Sequence, residues 1–197
     1  MPQVIDYAEQ WNAISPPNKQ ILVSRGTIHR VNYETYWVEP EIREFQKFTS
    51  NSGWINPRIQ GEAILAMEAF SHYTYDRSGG ELIVCDLQGR YRKKGNKRFE
   101  LTDPAISSRR REYGVTDTAE KGIETFFCHH CCNKFCNSDG RRWQRPRDPT
   151  SWFESSEGTS MFSSSQAHLL NLNSSARFTV MDGIMECEED EYSDDDY

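Results

Sequence analysis

Four of the chain's six cysteines, Cys128, Cys131, Cys132 and Cys136, crowd into nine residues, with His129 and His130 between them. The run His130-Cys131-Cys132-Asn133-Lys134-Phe135-Cys136 reads His-x-Cys-x3-Cys. Zinc takes four thiolate or imidazole ligands at the corners of a tetrahedron, and a helix end running into a turn presents three of them at this spacing. A fourth must come from His72, His129, Cys128 or Cys131, and spacing alone does not choose. In a secreted chain such density signals disulfides; in a reducing compartment it signals a metal, which only thiolate and neutral imidazole bind. The competing account is a set of ordinary buried cysteines with incidental histidines.

A second constellation lies upstream. Asp86-Leu87-Gln88-Gly89 closes the near-continuous apolar run from Glu81 to Leu87, and Leu101-Thr102-Asp103-Pro104 follows after a basic stretch. Strand alternation puts Asp86 and Gln88 on one side. Asp103, at the start of a turn, is able to return to the same point. Two carboxylates and an amide oxygen are hard ligands suited to Mg²⁺, and Mg²⁺ held by so few protein groups commonly binds nucleotide phosphates as well. The plainer account is a strand-end aspartate capping a turn. Tyr113 to Gly122 adds a glycine-containing loop entering a helix, a weak anion-binding signal.

These residues need elements to hold them. Residues 1–19 read as irregular, ending at Pro16-Pro17-Asn18. Ile21 to Val23, Thr27 to Val31 and Tyr33 to Val38 read as short strands, stopped at Pro40. Between Arg58 and Tyr73, Ile59, Ala63, Ala66, Met67 and Phe70 recur at helical spacing. Glu81 to Leu87 reads as a strand buried on both faces. Arg90 to Arg98 carries six bases in nine residues and reads as an exposed loop or hairpin tip. A second helix is expected from Thr118 to about Phe127. Residues 138–197, rich in Ser, Asn, Arg, Asp and Pro, read as a mostly disordered, low-complexity acidic tail with a short helix near Gln166 to Leu172.

Bulk properties exclude several classes. No run of about 18 apolar residues exists, and the start MPQVIDYAEQWNAISPPNKQ lacks the basic and apolar regions of a signal peptide, so an intracellular, cytoplasmic chain without a membrane partner is expected. The last twelve residues hold eight acids and no base; without them the formal charge of −7 becomes +1. A nearly neutral body gives no electrostatic case for a nucleic-acid partner.

Taken in order, the motifs resemble the alpha-type (atypical) protein kinase family from about Ile21 to Cys136. The series is Val38-Glu39-Pro40, Phe45-Gln46-Lys47 leading to Asn51-Ser52-Gly53-Trp54, Ala69-Phe70-Ser71-His72-Tyr73-Thr74-Tyr75, Val84 to Gly89, Leu101 to Pro104, the Tyr113–Gly122 loop, and His130-x-Cys132-Asn133-x-x-Cys136. The resemblance implies an α+β, kinase-like two-lobed fold over residues 20–137. Its zinc-stabilised C-lobe takes His72 as the fourth zinc ligand beside His130, Cys132 and Cys136. It implies that Asp86 orients the substrate hydroxyl, that Gln88 and Asp103 hold Mg²⁺, and that Thr102 positions substrate or phosphate. Glu39 is implied at the hinge near the adenine of ATP, and Gly114, Thr116 and Asp117 in the glycine-rich segment beside the cleft. The partners implied are protein substrates. Two departures stand out: Ala119 occupies a position where the family usually has glycine, and the strands carrying the family's phosphate-gripping lysine have no counterpart in the first twenty residues, so the N-lobe reads as truncated.

Two functions follow as expectations. One is an ATP-dependent serine/threonine protein kinase of the alpha type. The alternative is an inactive zinc-stabilised module that works by binding proteins.

Overall fold

The computed structural model describes residues 2–162. The expected helix at Gln166 to Leu172 and the acidic terminus lie outside the described residues. The chain opens with helix α1 (Pro2–Ile14), where an irregular segment was expected, and a 3-10 turn follows at Pro17–Lys19. The physical reason is in the spacing: Val4, Tyr7, Ala8 and Trp11 recur at i, i+3, i+4 and i+7, and all four are buried. Proline at the first position suits a helix start, where its missing N–H is no loss.

Strand β1 (Ile21–Val23) follows, then the hairpin of β2 (Thr27–Val31) and β3 (Glu34–Val38), as expected. Asn32 and Tyr33 both have positive φ, 49° and 67°, which makes the two-residue turn whose twist matches paired strands. All ten strand residues of this hairpin are exposed. Strand β4 (Gln46–Lys47) leads through the Asn51–Gly53 turn to helix α2 (Glu62–Arg77). The helix starts four residues later than the expected start at Arg58, because Gly61 at φ +74° is not helical backbone. It ends at Ser78-Gly79-Gly80, where both glycines take positive φ and the Gly80 N–H bonds back to the Tyr75 carbonyl at 2.9 Å.

Strand β5 (Leu82–Cys85) is buried on both faces and pairs with β8 (Ala105–Ser108). It does not continue to Leu87: Asp86 adopts φ +56° and redirects the chain into β6 (Gln88–Arg92), which belongs to a different sheet. That sheet has the order β1-β7-β6-β4, with β7 (Arg98–Leu101) parallel to β1 and antiparallel to β6. Gly89 lies so close to β7 that a Cβ there would meet the Glu100 carbonyl oxygen at 2.0 Å. The basic stretch is the β6–β7 hairpin. Arg90 and Arg98 both ion-pair with Glu100, at 2.6 and 2.9 Å, leaving the lysines at the tip exposed. Helix α3 (Ala119–His129) completes the described elements, close to the expected span.

The core is aromatic. Trp11 of α1 meets Phe70 and Tyr73 of α2 edge-on at 5.8 and 5.6 Å, and Trp143 at 6.5 Å. Trp143 belongs to the region read as a disordered tail. Residues 138–162 have no helix or strand but pack on the domain through named contacts. Arg141 pairs with the buried Asp76, whose carboxylate also takes the Gln144 N–H at 2.9 Å. The Trp152 N–H bonds Thr125 Oγ1 at 3.0 Å. Long-range polar anchors give no local periodicity, so the sequence pattern did not reveal them. The ordered body therefore extends at least 25 residues beyond the expected boundary at 137.

Candidate functional site

The metal-ligating residues come from two elements. His72 lies on α2, 1% exposed, while His130, Cys132 and Cys136 follow the end of α3. Their four ligand atoms lie within 4.8 Å of one another, and of the four candidates for the fourth position it is His72 that joins the group. His72 Nδ1 is 3.3 Å from His130 Nε2 and 3.7 Å from Cys132 Sγ, and Cys136 Sγ is 3.6 Å from His130 Nε2. A tetrahedral zinc with ordinary bond lengths has N···N edges of about 3.3 Å and N···S edges of about 3.6 Å, so these residues fit the ion.

The outward ring nitrogens are tied down as well. His130 Nδ1 faces Glu68 Oε1 at 3.3 Å and His72 Nε2 faces the Gln144 carbonyl at 2.9 Å, which orients both rings. Cys132 is held well below the ordinary thiol range, first by its hydrogen bond with Cys136 and then by those with His130 and His72; the same contact pushes Cys136 up. His129 turns away to Ser151 Oγ at 3.2 Å, and Cys128 and Cys131 are not in the group.

The second constellation assembles where β5, β6 and the start of β8 meet. Asp86 is 2% exposed, and its left-handed φ of +56° turns the carboxylate off the strand path. Lys47 Nζ, from β4, approaches Asp86 Oδ1 at 2.6 Å. Asp103 also has a left-handed backbone, φ +45°. Two non-glycine residues in that sparsely populated region, side by side, are the kind of strain that concentrates at working sites. The Asp103 carboxyl is raised above the usual carboxylate range by partial burial and by the nearby carboxylates of Glu39 and Asp86, with Lys47 opposing. Thr102 Oγ1 donates to Glu39 Oε2, and Glu39 Oε1 is buried without a partner. Gln88 Nε2 donates to the Asp103 carbonyl at 3.1 Å, which leaves its amide oxygen for another donor or a cation.

Three acids against one lysine leave this pocket with surplus negative charge and an orphaned oxygen, the state a divalent cation relieves. The fold thus brings Gln88, Thr102, Asp103 and Asp86 together; Glu39, expected at the hinge near the adenine, bonds Thr102 and lies beside Asp103. Lys47 belongs to the Phe45-Gln46-Lys47 motif, for which the resemblance implied no role, although a lysine in register next to the fully buried Phe48 is a readable signal that it faces the other way.

The glycine-containing loop is placed differently from its expected role. Asp117 is fully buried, and its carboxylate takes the N–H groups of Ser108 and Ala119 at 2.9 Å each, Tyr113 N–H at 3.1 Å and the Ser108 hydroxyl at 2.6 Å. With four bonds made inside the fold, Asp117 fastens the loop to β8 and has no capacity left for a nucleotide. The Thr116 carbonyl takes Asn51 Nδ2 at 2.9 Å, and Gly114, φ +84°, faces open space. Ala119 carries the left-handed φ of +57° that its glycine-preferring position implied.

A buried β5 flanked by strand-end acids, a helix α2 tied to α3 by a His/Cys quartet, and a mixed sheet at the site define a kinase-like α+β domain. Residues 4–136 match the Alpha-kinase family, and the chain belongs to that family. The match begins inside α1, well before the motifs that carried the resemblance. Eukaryotic elongation factor 2 kinase of Caenorhabditis elegans is 32% identical over 137 residues, covering 67% of this chain and 16% of that protein. Alpha-protein kinase vwkA of Dictyostelium discoideum is 39% identical over 98 residues, covering 49% of this chain and 15% of that protein. The crystal structure of the alpha-kinase domain of myosin heavy chain kinase A in complex with ADP superposes with a TM-score of 0.56 at 27% identity, covering 70% of this chain and 54% of that one. The chain thus spans less than a fifth of the length of these curated relatives.

Proposed function

We propose that this chain is an ATP-dependent protein serine/threonine kinase of the alpha type, carrying the γ-phosphate of ATP to a hydroxyl of a protein substrate. The observation that carries this reading is the Lys47–Asp86–Asp103 cluster, with Asp86 and Asp103 both in left-handed backbone. Asp86 Oδ2 already accepts a hydroxyl hydrogen bond in the fold, so it is suited to orient an acceptor hydroxyl and take its proton. Lys47 ion-pairs with Asp86 at 2.6 Å and offers positive charge beside the transferring group. Glu39 fixes the Thr102 hydroxyl next to Asp103. In this reading Gly114 and Thr116 belong to the loop beside the nucleotide, which Asp117 fastens to β8.

Magnesium would be held by Gln88 and Asp103, supplying charge neutralisation for nucleotide phosphates when bound. Zinc would be held by His72, His130, Cys132 and Cys136, with no open position, and so has a structural role. Thiolate ligation also favours a reducing, intracellular setting. Nucleotide binding is supported by the relative solved with ADP.

The test is transfer of radiolabelled phosphate from Mg-ATP to a basic helical peptide, comparing the chain with Asp86→Ala. A loss of at least about a hundredfold is expected, the scale of general-base and positioning groups. Equal incorporation by both would instead favour the inactive, protein-binding alternative.

A further inference from the structure

The basic run Arg109-Arg110-Arg111, for which the kinase reading has no use, borders a cavity of about 430 Å³ between the chain after β8 and the start of α3. Its wall holds four bases, Arg109, Arg110, Arg111 and Lys121, against two acids, Asp117 and Glu120. Asp117 has spent its carboxylate on bonds inside the fold, which leaves Glu120 to answer the bases. Elsewhere bases find acids: Arg90 and Arg98 pair with Glu100, Arg141 with Asp76, and Lys134 with Glu62. Among the described residues no carboxylate pairs with any of these four. Arg109 turns instead to the Gly80 carbonyl at 2.8 Å. Arg111 takes the Phe162 carbonyl at 3.2 Å and lies 5.4 Å from the centre of that ring, and Lys121 lies 4.7 Å from the centre of the Trp152 ring. Arg110 is exposed, and Arg111 and Lys121 are half-buried, so all three can be reached from solvent.

The cavity lies next to the proposed reaction centre. Thr159 Oγ1 donates to Asp86 Oδ2 at 2.7 Å, and Phe162, three residues on, lines the cavity. Three residues of chain span at most about 11 Å. A bound protein can therefore hold a hydroxyl at Asp86 and an acidic side chain among these bases at once. We propose that Arg110, Arg111 and Lys121 form a docking site for an acidic segment of the protein substrate, rich in Asp or Glu and within a few residues of the acceptor hydroxyl. This rests on the kinase reading above. Charge complementarity carries it: like charges gathered at one concave place repel one another until an anion arrives, and guanidinium forks take carboxylates in paired bonds. The aromatic rings beside the bases reduce their contact with water, which strengthens each pair relative to one in open solvent.

Transfer from labelled Mg-ATP by the full chain is measured on the acceptor peptide of the kinase test, with and without a glutamate extension beginning about three residues from the acceptor. Binding of a fluorescent oligoglutamate peptide is followed in parallel by anisotropy. The extension is expected to lower KM at least about fivefold with kcat unchanged, the worth of a few partly shielded charge pairs. Arg110→Glu combined with Lys121→Gln should remove that advantage and the anisotropy rise, while turnover of the plain peptide stays as it was. Arg110→Lys should keep most of the advantage, and added salt should weaken it. Equal KM for the two peptides in the parent chain overturns the inference and leaves the kinase reading intact. No transfer to either peptide removes the kinase reading; oligoglutamate that then binds the parent and not the double variant upholds an acidic dock, and oligoglutamate that binds neither overturns it. Tighter oligoglutamate binding once the eight acids of the last twelve residues are replaced by their amides would assign the site to the chain's own terminus and overturn the docking of a substrate.

Discussion

Asp103 shows how a single site residue trades stability for chemistry. Its carboxyl is raised by partial burial and by the charges of Glu39 and Asp86. The folded chain therefore keeps this proton at a pH where the unfolded chain has lost it, and the ionised group opposes folding. That penalty is complete above the folded value and vanishes below the unfolded one, about 3.9 for aspartate. Asp103→Asn, which tolerates the left-handed backbone, is expected to raise the urea midpoint at pH 7 and to converge with the parent as the pH falls toward 3. An unchanged difference across that range would place the effect elsewhere than in its charge. At this scale much of the site was legible in the sequence: the Asp86, Gln88, Thr102 and Asp103 motifs meet, and the His/Cys spacing is the spacing of the quartet. Lys47 and Thr159 were not. Both are defined by a partner far along the chain, and Asp86 reaches them only because of a turn that strand alternation does not contain.

Among the elements, helix α3 begins at a cost. Ala119 opens it at φ +57°, where a Cβ crowds the backbone by about 1–2 kcal/mol. Ala119→Gly removes that crowding but adds freedom to the unfolded chain, so a net gain of about 0.5–1 kcal/mol is expected. In a chain of this size that is a rise of roughly 1–4 °C in Tm, read by thermal denaturation. A loss of stability would mean that the Ala119 methyl is needed for packing. The short strands at 21–38 and both later helices were legible because apolar spacing and turn residues are local signals. Helix α1 carried the same signal in Val4, Tyr7, Ala8 and Trp11, outweighed by the Pro16-Pro17 break that follows it. Residues 138–162 carried none, since their order comes from Asp76, Asn51, Ser52 and Thr125 reaching out from the domain.

Across the whole molecule, the His/Cys quartet joins α2 to the chain after α3, and Gln144 and Trp143 close over it. With zinc held as proposed, losing the ion would leave two thiols and two imidazoles crowded in the interior, so chelation is expected to destabilise the whole domain rather than only slow a reaction. A loss of about 5 kcal/mol corresponds to a fall of roughly 10–20 °C in Tm for a chain of this length. His72→Ala should give the same fall and take bound zinc from one per chain to none, measured by atomic absorption. Retention of one zinc by His72→Ala would move the fourth ligand to a neighbouring residue. The β2–β3 hairpin has the opposite character, an exposed two-stranded ribbon with its tip at Asn32-Tyr33. On one side of that tip lie Trp11, Ile21 and Val23, buried in the common core, and on the other lies nearly all the rest of that core. Cleavage at the tip would therefore yield two polypeptides that remain one particle, with β1 still bonded to β7 and α1 still under Trp143. The hairpin marks a natural seam for building this domain from two separately expressed pieces.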